Sequence, residues 1–173
     1  VGEAGFNTKE LDPDKKNILF LSRIESRKGI FELLEAFKIL KEKDTTYSLT
    51  YAGDGPDLEA LKDRCKGIEG VTFAGYVSGT AKTQCFLDAS IFCFLSSYGE
   101  GMPIAVLEAL AMGLPVITST AGGLKDIMKE PDCGYIIPQH SDLPDGLLFD
   151  PSLTAQRISQ IVATQDQFTA IST

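Results

Sequence analysis

IFCFLSSYGEGMPIAVLEALAMGLPVITS, residues 91–119, reads as strand, loop, helix and strand in succession. Ile91–Leu95 is a short unbroken apolar run, the form of a strand buried on both faces. Two glycines, Gly99 and Gly101, then break the chain, and Pro103 suits the first position of a helix. Ile104–Met112 is that helix, stopped by Gly113 and Pro115, and Pro115–Ser119 is a second buried strand. Two such strands joined through a helix must lie parallel, because a tight hairpin is not available to them. The same stretch excludes a membrane span. Met102–Ser119 carries one charge, Glu108, but Pro103, Gly113 and Pro115 interrupt it, so no transmembrane segment is expected.

The pattern repeats outward in both directions. Asn17–Ser22 is an apolar strand, and Lys28–Lys43 places Ile30, Leu33, Leu34, Phe37 and Leu40 at helical spacing. Tyr47–Ala52 is a strand, Gly53–Pro56 a turn, and the following helix carries Leu58, Leu61 and Cys65 inward. Val71–Ala74, Thr80–Ala89, a short helix from Leu124, a strand at Tyr135–Ile137 and a helix from about Ser152 complete the alternation. Strands of four to six residues alternating with helices predict an α/β fold: a parallel sheet of about six strands with helices on both faces. Ligands in such sheets bind at the carboxyl ends of the strands, so the loops Ser22–Lys28, Gly53–Pro56, Gly75–Gly79, Ser96–Pro103 and Ser119–Gly123 carry the functional question.

Composition narrows the answer. The chain has 173 residues, 43% of them hydrophobic and 23% charged, which is enough for a packed core and excludes general disorder. Sixteen Lys and Arg against 24 Asp and Glu give a net charge of −8, which argues against nucleic acid as a partner. The four cysteines include no C-x-x-C pair and the chain has one histidine, so buried free thiols are expected and a Cys/His zinc site is not. His140 falls in a polar loop and reads as a surface residue. Gly53-Asp54-Gly55 has Leu58 where a dinucleotide fingerprint needs its third glycine, and no P-loop sequence occurs. Asp12-Pro13-Asp14 has the spacing of a D-x-D metal motif, but it precedes the first strand and proline splits it. No metal site is expected there.

Three cations follow the first strand: Arg23, Arg27 and Lys28. They form either a solvated basic turn or an anion site; positive charge at a helix N-terminus opposes the macrodipole unless an anion shares it. Glu108 lies in a helix that is apolar nearly all round and therefore reads as buried. Its carboxylate needs a partner, either an internal Lys or Arg or the neutral hydroxyls of a sugar or ribose.

Glu100-x7-Glu108, within EGMPIAVLEALAMGLPVITS, closely resembles the E-x7-E region of GT-B retaining glycosyltransferases of the large family-4 type. Leu21-Ser22-Arg23-x4-Lys28-Gly29 is similar to that family's diphosphate loop. Ala52-Gly53-Asp54-Gly55-Pro56, Val71-x-Phe73-x-Gly75-Tyr76 and Gly122-Gly123 match its other landmarks in order. The resemblance implies one Rossmann-like half of a GT-B fold, with residues 1–16 the remnant of an interdomain linker and 17–173 the nucleotide-sugar-binding domain. The acceptor-binding half is then absent from this chain, and Phe168–Thr173 stops short of the helix that crosses back.

The resemblance further implies a hexosyltransferase acting with retention and without metal, the fragment alone being inactive. Its substrate is a nucleoside-diphosphate sugar, with no separate cofactor, and its acceptor a glycan or lipid-linked molecule reached through the absent half. Arg23 and Lys28 grip the diphosphate, Glu100 contacts the transferred sugar, and Glu108 takes the ribose hydroxyls. Gly101, Met102, Pro103 and Ile104 approach the donor at the helix start, and Gly53, Asp54, Gly75, Tyr76 and Val77 lie near the base. The implied location is cytoplasmic, peripheral to the inner face of a membrane through the absent half. Met102 and Pro103 stand where the family commonly has Phe and Gly, and two segments between Gly134 and Pro151 compete for one expected motif, which reads as an inserted loop. An epimerase-like relative and a nucleotide-binding module without turnover stay open beside the transferase.

Overall fold

The computed structural model describes residues 14, 16–99, 101, 103–128 and 133–171, the side chains of 165–171 excepted. The expected linker, Glu100 and Met102 lie outside the described residues, apart from Asp14 and the Lys16 that opens the first strand. Six strands form one sheet: β1 (Lys16–Leu21), β2 (Tyr47–Ala52), β3 (Val71–Gly75), β4 (Ile91–Phe94), β5 (Val116–Ser119) and β6 (Gly134–Ile137). All pairs are parallel, in the order β3-β2-β1-β4-β5-β6. The helices between them are α1 (Ile30–Lys43), α2 (Leu58–Cys65), α3 (Gly79–Asp88), α4 (Ile104–Ala111) and α5 (Leu124–Ile127), and α6 (Pro151–Ile171) follows the sheet.

Direction of travel sorts the helices. The chain moves from β1 to β2 to β3 across one half of the sheet, then crosses back to β4 and continues to β6. Right-handed crossovers therefore put α1 and α2 on one face and α3, α4 and α5 on the other. α6 returns to pack on α1. The core follows the central strands: Ile18, Leu19 and Phe20 of β1 and Ile91–Phe94 of β4 are buried on both faces, as unbroken apolar runs require. Tyr51 is buried with them, and its hydroxyl donates to the Ile30 carbonyl at 2.7 Å, tying β2 to the start of α1.

Two expectations are corrected. The first helix does not begin at Lys28: Ser26–Lys28 form a separate 3-10 turn, and Gly29, at φ +73°, separates it from α1. The cause is a close approach, since a Cβ at Gly29 would stand 2.4 Å from the Leu95 Cβ. Nor is α4 buried all round. Val106 and Ala109 of this helix are buried and Ala105 and Leu110 pack half-buried against the core, whereas Ile104 is 69% and Leu107 40% exposed. One stripe of an apolar helix meets the sheet and the opposite stripe meets solvent.

The four cysteines are free, as expected, but only Cys65 and Cys93 are buried; Cys85 and Cys133 are half-buried. His140 is exposed. The segment after β6 is held by a buried carboxylate: Glu32 of α1, 5% exposed, accepts from the Leu148 amide at 2.9 Å.

Candidate functional site

Chain direction reverses between β1 and β4, so the loops after those two strands diverge and leave a crevice at the carboxyl edge of the sheet. A cleft of about 720 Å³ opens at the same edge, on the β1–β3 side, lined by Ser22, Arg23, Gly53–Pro56, Tyr76, Val77 and Lys82 among others. The volume is within the range of small-molecule sites, roughly 300–1,000 Å³.

Its floor is backbone. The β1 loop runs against the β2 loop through Ser22 N donating to Ala52 O (3.1 Å) and Ile24 N to Asp54 O (2.9 Å), and Gly53 N donates to Gly75 O (2.7 Å) at the end of β3. This packing explains the two glycines of Gly53-Asp54-Gly55. A Cβ at Gly53 would fall 1.9 Å from the Ser22 carbonyl oxygen, and one at Gly55 2.3 Å from that of Ile24. Both are glycine because a neighbouring strand loop occupies the space. Gly75, at φ +70°, and Gly101 have nothing within 4 Å of where a Cβ would stand, so those two positions are open.

The three cations of the β1 loop separate. Arg23 lines the cleft, 65% exposed, with Glu25 Oε2 3.9 Å from its Nε. Arg27 lies over the Tyr98 ring, 4.3 Å from its centroid. Lys28 is 8% exposed, with Nζ 5.5 Å from the centroids of both Phe94 and Tyr98. An ammonium drawn into an aromatic cradle keeps a favourable quadrupole interaction while losing water. The Ser97 amide donates to the Arg27 carbonyl at 2.9 Å, fixing the β4 loop to this cationic turn.

Pro103 is buried at the N-terminal boundary of α4, and Gly101 and Ile104 are exposed beside it. None of these three lines the cleft. Glu108 reaches the cleft through Lys82 of α3, whose Nζ donates to Glu108 Oε1 at 2.9 Å and stands 2.8 Å from Oε2. The partner of Glu108 is thus an internal lysine, one of the two kinds its sequence left open. Glu108 is not deeply buried; its side chain is 37% exposed.

Lys82 is the residue that sequence reasoning missed. It sits in the first turns of α3, where a cation opposes the macrodipole. The same signal drew attention to Arg23, Arg27 and Lys28 and was present here. Among the described residues, no cluster of three or more His, Cys, Asp or Glu could hold a metal ion, and no helix is long and apolar enough to cross a membrane.

The sheet order and the cleft at its carboxyl edge define a Rossmann-like domain of the kind that builds GT-B glycosyltransferases. Comparison with known proteins agrees and goes further. Residues 3–149 match the profile of the family described as glycosyl transferases group 1, and the chain belongs to that family. Among curated relatives, the alpha-monoglucosyldiacylglycerol synthase of Streptococcus pneumoniae is 33% identical over 138 residues, 78% of this chain and 31% of the relative. Among solved structures, S. aureus TarM superposes with a TM-score of 0.75 at 22% identity, over 88% of this chain and 29% of TarM. The pneumococcal O-GlcNAc transferase GtfA, solved with UDP and GlcNAc, gives 0.73 at 20% identity, over 88% and 32%. The chain spans between about a quarter and just over a third of the length of the first curated relatives it matches.

Proposed function

We propose that this chain is the donor-binding half of a retaining, metal-independent hexosyltransferase that uses a nucleoside-diphosphate sugar. The observation that carries the reading is the cleft at the carboxyl edge of the sheet. It is walled by the loops after β1, β2 and β3 and has the cations Arg23 and Lys82 on its lining. Family membership supports sugar transfer, and the UDP in the related GtfA structure supports a nucleotide donor.

In this reading the base lies against the Gly53–Asp54 and Gly75–Val77 backbone, with Tyr76, 81% exposed, offering a ring face. The diphosphate meets Arg23 and Lys28. As the sugar–phosphate bond breaks, negative charge grows on the leaving diphosphate, and two fixed cations stabilise it without reorganisation. Amides at the start of α4, those of Gly101, Met102 and Pro103's successor Ile104, add dipole to the same end. Glu100 contacts the transferred hexose and Glu108 the ribose hydroxyls. A second domain supplies the glycan or lipid-linked acceptor and closes the cleft against water, so the chain alone binds donor without transferring sugar. The enzyme works in the cytoplasm, at the inner face of a membrane where its other half attaches.

The test is a thermal-shift panel of the chain with UDP, GDP, ADP, their sugar conjugates and NAD. A nucleotide at about 100 times its dissociation constant adds about 2.7 kcal/mol, or roughly 5–10 °C in a domain of this size. A shift with one nucleoside diphosphate, abolished by Arg23→Ala with Lys28→Ala, is expected. A shift with NAD alone, or a nucleotide shift untouched by the double substitution, refutes the proposal.

A further inference from the structure

Glu108 Oε2 is enclosed and, among the described residues, accepts no hydrogen bond. Lys82 Nζ stands 2.8 Å away, but its hydrogen bond goes to Oε1 at 2.9 Å. An ionised carboxylate only accepts, and its two oxygens together offer about four lone-pair positions. One ammonium therefore leaves this acceptor pair half-used. Lys82 lines the cleft and Glu108 does not, so a cleft ligand meets the lysine before the carboxylate.

We propose that Lys82 is a displaceable counter-ion, holding on Glu108 the place that the two vicinal hydroxyls of a ribose take when a nucleotide binds. This rests on the reading of the cleft as a nucleotide site. A cis-diol carries two donors spaced to reach both carboxylate oxygens, so the exchange satisfies the oxygen that Lys82 does not. The lysine is not stranded by it. Its side chain is 29% exposed, its four-carbon stem is flexible, and it stays in a cleft to which a diphosphate brings negative charge. A bare nucleoside displaces the same lysine and brings it no new partner. The Lys82–Glu108 pair thus favours a ligand that carries both an intact diol and phosphate charge.

The experiment is an NMR titration of the wild-type chain and two variants, Lys82→Met and Lys82→Arg. The probes are uridine, adenosine and guanosine, their 5′-diphosphates, and the 2′,3′-dideoxy form of each. Met keeps the stem and removes the charge, whereas Arg keeps an ion pair. Lys82→Met is expected to bind the riboside of the accepted base about two- to fivefold more tightly than wild type, a change of the size of a partly exposed ion pair. Its affinity for the dideoxynucleoside should not change, and Lys82→Arg should stay within about twofold of wild type. In the wild-type chain, the Lys82 Nζ resonance should move on saturation with the riboside and not with the dideoxynucleoside.

Weaker riboside binding by Lys82→Met, or an equal change for riboside and dideoxynucleoside, overturns the proposal: Lys82 would then be a direct ligand contact or a fixed support for Glu108. Should Lys82→Met unfold, the Nζ resonance and Lys82→Arg decide alone. If the wild-type chain binds ribo and dideoxy forms equally, the assignment of Glu108 to ribose fails first and the counter-ion role falls with it. If it separates them but Lys82→Met shows no gain, only the counter-ion role is lost. Binding of no probe refutes the nucleotide reading itself.

Discussion

Gly53→Ala separates a glycine required by the protein from one kept open. At Gly53 the backbone has φ +143°, and the new Cβ would stand 1.9 Å from the Ser22 carbonyl oxygen, where real Cβ contacts do not fall below 3.0 Å. The β1 and β2 loops must therefore part by about 1 Å, as judged from those distances. That movement breaks or stretches the hydrogen bonds from Ser22 N to Ala52 O (3.1 Å) and from Ile24 N to Asp54 O (2.9 Å). Two backbone bonds at about 1 kcal/mol each, with about 1–3 kcal/mol for alanine in a glycine-only conformation, make about 3–5 kcal/mol. In a domain of this size that lowers the Tm by about 6–20 °C, a large part of a total stability of about 5–15 kcal/mol. Gly75→Ala is the matched control, with φ +70° and nothing within 4 Å. It pays only for left-handed backbone, about 1–2 kcal/mol. Paired calorimetric and urea melts measure both. If Gly53→Ala costs no more than Gly75→Ala, the two loops are not held as described and the packed floor of the cleft is wrong.

Other perturbations test other parts of the molecule. Burial pushes the Glu32 carboxyl above its ordinary value, against the Leu148 amide that lowers it. The folded state therefore keeps its proton while the unfolded chain loses it, and this residue costs stability as pH rises past the usual carboxylate range. Glu32→Gln, which keeps an acceptor for Leu148, should gain on wild type from pH 4 to 7 in urea titrations; a constant difference refutes the assignment. Asp44 acts oppositely, because the hydrogen bond from Lys16 holds its carboxyl at about 2. Its contribution is present above the usual carboxylate range and lost as pH falls toward 2, so Asp44→Asn should be closest to wild type in the most acidic melts. Lys28→Met should weaken nucleoside diphosphates at least tenfold by calorimetry and leave the bare nucleoside unchanged, since the charge meets phosphate alone. A thiol reagent should label Cys85 and Cys133 in the native state and reach the fully buried Cys93, whose thiol burial pushes far up, only after unfolding.

The strands were legible because a parallel sheet covered on both faces demands unbroken apolar runs, and NILFLS and IFCFL are such runs. Their ends shift by one residue, Lys16 for Asn17 and Val116 for Pro115. Hydrogen bonding, not apolarity, sets the limit of a strand, and proline has no amide to give. The α4 error has a different origin. Residues 104–112 record how apolar the helix is all round, but not how many neighbours it has. The exposure of Ile104 and Leu107 follows from a sheet on one side and none on the other.

The same limit divides the site. Arg23, Gly53, Asp54, Tyr76 and Val77 share the cleft because each follows a strand, and strand ends of a parallel sheet come together by topology alone. Periodicity places a loop at the carboxyl edge, so those residues could be found before any contact was known. Lys82 and Glu108 lie 26 positions apart on two helices, and only the adjacency of α3 and α4 joins them. Local sequence leaves each of them an unpaired anomaly: a cation early in a helix and an acid in an apolar one. Two such anomalies of opposite sign on one face of a sheet are the signal a sequence can carry for a pair. Matching them requires placing both helices on the same face, and the right-handed crossover rule already does so, because α3 makes the return across the sheet and α4 follows it in the same direction.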